Sequence, residues 1–170
     1  TAGGYRFATS IGGTLTGRGG NMIIIDDSLK PDDAFSDTRR KAVNEWYGRT
    51  LYSRLDNKAE DVIIVIQQRL HMEDLVGHLL EQESGWVHLN LPALAEQDQT
   101  VRIGRNRVHE RKAGDLLHPE REPQAVLDEL RQTMGAFAFA AQYQQTPVPT
   151  GGLMVKEEWL VTYDSLPIEK

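Results

Sequence analysis

Two short apolar runs constrain the fold more than any other feature: Met22-Ile23-Ile24-Ile25 and Val62-Ile63-Ile64-Val65-Ile66. Both have strand length and are rich in β-branched residues. The first reads as a buried strand ending at Asp26-Asp27. The second is apolar on both faces, as a central strand of a parallel sheet is. About 40 residues separate Asp26 from the glutamines Gln67 and Gln68 that end the second run. That distance suits one helical crossover between neighbouring strands.

The rest of the chain fits around this pair. Tyr5 to Ser10 mixes aromatic and small residues with partial alternation, and reads as a further strand. Five glycines fall in the nine residues from Gly12 to Gly20, marking tight turns or close backbone approaches. Pro31 stops the chain after the first run, and Asp32, Asp33 and Ser36 are candidate helix caps. Ala42, Val43, Trp46, Tyr47, Thr50 and Leu51 recur at helical spacing and predict one buried face, weakened by Gly48. Met72, Leu75, Val76, Leu79 and Leu80 form a second stripe. Glu73 and Asp74 fall in its first turn, where negative charge suits the helix dipole. Val87-His88-Leu89-Asn90-Leu91 alternates and predicts a strand closed by Pro92. Pro123 opens a helix carrying Val126, Leu127, Leu130 and Met134, and a shorter helix covers 136–144. Pro147, Pro149, Gly151 and Gly152 read as a linker, with Trp159 and Tyr163 in the tail. The order strand, helix, strand, helix, strand predicts an α/β layer with a largely parallel sheet.

Composition narrows the function classes. The 170 residues, 39% hydrophobic and 26% charged, suffice for one domain with a sizeable core. No apolar run approaches the roughly 20 residues of a membrane-spanning helix, and no signal-peptide pattern opens the sequence. The absence of cysteine excludes disulfides and thiolate metal sites, and fits a reducing compartment. A net charge of −6 argues against the whole domain being a nucleic-acid-binding surface. Basic residues do gather locally, in Arg102, Arg105 and Arg107 and again in His109, Arg111 and Lys112. This stretch reads either as a solvated hairpin or as a loop facing DNA or another partner.

The residues with chemical potential lie at the ends of the two apolar runs. A strand ending in Asp26-Asp27 delivers two carboxylates to the carboxyl edge of a sheet, the usual ligand crevice of open α/β folds. One carboxylate can hold Mg²⁺, and the other can orient an attacking water. The same pair also fits a turn or cap, or a different metal site. Gln67 and Gln68 either sense a phosphate or cap the strand by bonding nearby backbone. Arg18, among the glycines, is either an arginine finger or a surface arginine beside a turn. No Gly-Lys-Ser/Thr phosphate loop occurs anywhere in the sequence. His71, His78 and His88 lack the spacing of a zinc signature, and read better as caps or local hydrogen-bonding groups.

Several of these stretches together resemble the large subunit of tailed-phage terminases. They include the run from Ala8 to Gly20, Ile23-Ile24-Ile25-Asp26-Asp27, Asn44-Glu45-Trp46-Tyr47 and the run from Gln68 to Gly77. Leu116-Leu117-His118-Pro119-Glu120-Arg121, the run from Phe139 to Gln145 and Pro147-Val148-Pro149 complete the set. The resemblance covers nearly the whole chain, and its order makes it specific. It implies a genome-packaging motor with an N-terminal ATPase domain and a C-terminal RNase H-like nuclease. By motif, Asp26 is similar to the Walker B magnesium ligand. Asp27 occupies the catalytic carboxylate position, where many members carry Glu. Arg18 resembles the arginine ahead of Walker B that acts at a subunit interface. Gln67-Gln68-Arg69 resembles the coupling motif.

The fold this resemblance implies is a partial P-loop-type (RecA-like) ATPase core, mostly parallel, with a C-terminal helical linker subdomain. Residues 1–95 then form the second half of the ATPase core. Residues 96–146 form a connecting hairpin and the linker subdomain, and 147–170 lead into a following domain. The implied ligands are Mg²⁺ and ATP. The implied partners are double-stranded DNA, a portal protein, the terminase small subunit and other large-subunit copies, in the cytoplasm of a bacterial host. Without the Walker A loop, and with the nuclease carboxylates expected past Lys170, the isolated segment is expected to be inactive; Asp164 and Glu169 are not read as nuclease residues. Two other readings stand beside this one. A metal-dependent nuclease or phosphoesterase would use Asp26 and Asp27 with Asp56, Glu73 or Asp74. A non-enzymatic module would bind a portal or DNA.

Overall fold

The computed structural model describes residues 3–149. The expected linker glycines Gly151 and Gly152, and Trp159, Tyr163, Asp164 and Glu169, lie outside the described residues.

The two apolar runs form the strands β1 (Met22–Asp26) and β2 (Val62–Ile66). They pair in parallel, with Ile23 beside Ile63 and Ile25 beside Val65. Period-2 alternation sorts the pair into two faces. Ile23, Ile25, Ile63 and Val65 turn inward onto a cluster of Val43, Tyr47, Leu51, Leu75 and Leu79. The crossover begins with a single turn, α1 (Pro31–Ala34), and continues as α2 (Asp37–Trp46). Ser36 caps α2, its hydroxyl accepting from the Arg39 amide at 3.4 Å. The helix then widens into a π-helical turn over Tyr47–Leu51 and tightens into a 3₁₀ turn over Tyr52–Arg54. The widened turn keeps Tyr47 and Leu51 buried, whereas Ala42, expected on the same face, is exposed. After β2, helix α3 (Leu75–Gln82) lays Leu75 and Leu79 on the same inner face.

The other named elements are β3 (Gln99–Ile103), β4 (Arg107–Arg111) and α4 (Gln124–Gln142). Strands β3 and β4 are an antiparallel hairpin. Helix α4 is broken at Gly135, whose φ of +83° only glycine adopts freely, so it behaves as the two successive helices that the sequence predicts. Leu127 and Phe139, from either side of the break, meet Ala93 in a second small core. Phe139 stacks on Tyr143 with ring centroids 5.2 Å apart.

Three expectations are corrected. Tyr5 to Ser10 is not a strand; Tyr5 instead donates its hydroxyl to the Gly19 carbonyl at 2.6 Å, and Phe7 lies under Arg18. Val87 to Leu91 is not a strand either, and Val87 stands almost wholly exposed. Nor is the parallel pair buried on both sides. Both α2 and α3 pack on its inner face, while Met22, Ile24, Val62, Ile64 and Ile66 stay exposed on the other. The described architecture is a mixed α/β arrangement of one parallel pair, one antiparallel pair and helices. Two parallel strands are too few to display the strand order of a P-loop core.

Candidate functional site

The carboxyl end of the parallel pair is where chemistry can gather. Asp26 is the last residue of β1, level with Ile66 of β2. Asp27 extends the ladder by one bond, its amide donating to the Ile66 carbonyl at 3.1 Å. The chain then turns sharply, with Asp27 at φ +87°. Left-handed backbone at a non-glycine residue is uncommon and collects at functional turns. Both Asp26 and Asp27 are exposed.

The next residue ties the two strands' exits together. Ser28 is buried, and its hydroxyl donates to Gln67 Oε1 at 2.7 Å. This fixes the Gln67 amide beside the Asp26-Asp27 turn, while Gln68 is exposed. Sequence reading missed Ser28. Its position just after two aspartates was the only signal, and its role depends on the register of a strand 39 residues away.

Behind Gln68 lies the most tightly bonded polar cluster. Arg69 Nε donates to both carboxylate oxygens of Asp74 at 2.9 Å. Asp74 is 1% exposed. It also accepts from the Leu70 amide at 3.0 Å and, as the N-cap of α3, from the Gly77 amide at 2.9 Å. A Cβ on Gly77 would collide with the Met72 carbonyl oxygen, so only glycine fits this first turn. The Arg69 amide donates to Gln145 Oε1 at 3.0 Å, linking the exit of β2 to the chain after α4. Asp74 is thereby committed to structure. Glu73 is engaged as well, accepting from the buried Arg40 at 3.0 Å.

Arg18 is not part of this cluster. It is exposed, with its guanidinium carbon 5.3 Å from the Phe7 ring centroid. Gly20, two residues on, bridges to Leu55 at the amino end of the strand pair, opposite Asp26 and Asp27. Within one copy, Arg18 and the two aspartates are not brought together.

His71 accepts from the Glu73 amide at Nδ1, 3.1 Å away. Burial, then the nearby Arg40 charge, push its pKa below the usual histidine range. Burial does the same to His88, helped by the Arg69 charge.

Among the described residues no group of three His, Asp or Glu side chains is placed to hold a metal ion. Two open grooves, of about 560 and 330 Å³, lie along α2 and beside the glycine-rich loop. Neither contains Asp26, Asp27, Gln67 or Gln68. The candidate site is a bare sheet edge. It presents two carboxylates and an amide at a strand exit, without a phosphate-cradling loop among the described residues. Among the described residues, no helix is long and apolar enough to cross a membrane. No protein-family model matches this chain, and no curated protein matches it.

Proposed function

We propose that this chain is the Walker B and coupling part of a viral genome-packaging motor ATPase. In that reading Asp26 would hold Mg²⁺ and Asp27 would orient the attacking water. Gln67 and Gln68 stand where a γ-phosphate is sensed. The parent motor moves double-stranded DNA through a portal protein into a prohead, assembled with the small subunit and further large-subunit copies. The observation that carries the reading is the Asp26-Asp27 turn at the carboxyl end of a parallel pair, latched through Ser28 to Gln67.

Two further features support it. The outer face of the pair is apolar and open, whereas parallel sheets are covered on both faces. A second ATPase half, carrying the phosphate loop, would supply that cover. Arg18, remote from the aspartates in its own copy, is free to reach the nucleotide of a neighbouring copy, as an arginine finger in trans does. Magnesium would supply charge neutralisation on the phosphates; this chain's residues place it and the water. The open apolar face equally favours a second reading, a non-enzymatic module that docks through it on a portal protein.

The test is a Mg²⁺-dependent ATPase assay on the longest natural polypeptide containing these residues, with Asp26→Ala beside it. The expected result is activity that falls by roughly 100-fold or more in the variant, the scale for losing one electrostatic element of a transition state. Undiminished activity in Asp26→Ala overturns the assignment. A well-folded polypeptide without ATPase activity transfers the case to the docking module.

A further inference from the structure

We infer that the β3–β4 hairpin is a contact surface for the phosphate backbone of duplex DNA. Every residue from Arg102 to Glu110 is exposed. Three arginines, Arg102, Arg105 and Arg107, and His109 crowd this stretch, against one acid, Glu110. None of the three arginines enters an ion pair among the described residues. Structural arginines usually find a carboxylate; these do not.

Their placement on the ribbon points to the partner. Arg102 pairs across the ladder with Val108, and Arg107 with Ile103. Side chains alternate faces along a strand, so Arg102 and Arg107 project from opposite faces, and Arg105 sits at the tip. Glu110 shares the Arg102 face and His109 the Arg107 face, so the positive charge is strongest on the Arg107 face and at the Arg105 tip, where it can meet the phosphates along a groove wall. The major groove of B-form DNA, about 12 Å wide, admits a two-stranded ribbon. The narrow major groove of duplex RNA does not. The base of the ribbon is held firmly. Arg111 is buried and donates to the Pro92 carbonyl at 2.9 Å and the Asp115 carbonyl at 3.0 Å. A net charge of −6 repels DNA from the molecule as a whole, so approach needs a locally basic surface of this kind.

This placement deepens the DNA part of the motor reading. Its test uses neither nucleotide nor Mg²⁺, so either can fail alone. Fluorescence anisotropy of a labelled DNA duplex is titrated with the 170-residue chain across a salt series. Three phosphate contacts predict a slope of log affinity against log salt of about −2.7, or roughly 40-fold weaker binding between 50 and 200 mM. Each single variant, Arg102→Ala, Arg105→Ala or Arg107→Ala, removes about 0.9 of that slope. The triple variant, checked as folded by circular dichroism, loses binding. Wild-type protein that does not bind at low salt overturns the inference. So does a triple variant that keeps affinity and slope, or a duplex RNA bound as well as the DNA.

Discussion

Replacing Asp74 by alanine tests the account of the polar cluster behind β2. The side chain is 1% exposed. It receives both bonds from Arg69, whose own side chain is 13% exposed, and caps the first turn of α3. Removing it leaves a nearly buried guanidinium without its counter-charge, which costs about 3–5 kcal/mol. The lost cap is included in that figure and accounts for about 1 kcal/mol. Urea unfolding followed by circular dichroism should therefore show the midpoint falling by about 2 M, taking an m-value near 2 kcal/mol/M. Two companions divide the effect. Asp74→Ser keeps an acceptor for the Gly77 amide but cannot reach Arg69, and should recover only about 1 kcal/mol. Adding Arg69→Met to Asp74→Ala removes the orphaned charge and should recover more, because apolar replacement of a whole buried pair is often nearly neutral. A loss below about 1 kcal/mol in Asp74→Ala, or a serine variant as stable as the parent, would refute the reasoning.

The outer sheet face and the histidines give two further predictions. Ile24→Lys with Ile64→Glu, which places opposite charges at partnered positions of β1 and β2, should abolish hydrophobic-dye binding and change stability by no more than about 0.5 kcal/mol each; a multi-kcal loss would mean that the face is covered within the chain. Folded-state pKa values of His71 and His88 lie below the ordinary 6.5, so the unfolded chain takes up protons first as pH drops. Stability is then full above about pH 6.5 and declines in the window beneath it. His71→Asn keeps an acceptor for the Glu73 amide without titrating, and should flatten that decline in urea midpoints; an unchanged slope would exclude His71 as a source.

What could be read in the sequence was local and periodic. Strands β1 and β2, helix α3 and the break in α4 follow from apolar spacing and from single glycines. What escaped depended on partners distant in the chain. Val87 to Leu91 alternates like a strand, yet alternation alone provides no edge to pair with, and Val87 remains in solvent. The aromatic residues of the Tyr5 to Ser10 segment serve instead to anchor the glycine-rich loop, through the Gly19 carbonyl and the Arg18 guanidinium. Asp74 was read as an acid inside a helix's first turn; the helix instead begins at Leu75, which makes Asp74 its cap, and the pairing with Arg69 exists only in the folded chain. At the candidate site the two aspartates were legible as a strand exit. The Ser28–Gln67 latch was not, because it exists only once the parallel register is set.

The pairing of β1 with β2 also has a consequence in time. Each residue of β1 meets a partner 40 positions later, whereas the hairpin closes Ile103 onto Arg107 over four. By loop-closure entropy the longer contact costs about 2 kcal/mol more to bring together. At ribosomal speeds of roughly 5–20 residues per second, β1 emerges about 2–8 seconds before its partner exists. For that interval Ile23-Ile24-Ile25 is an unpaired apolar strand on a growing polypeptide, so chaperone supply during synthesis should govern how much of this protein reaches its folded state.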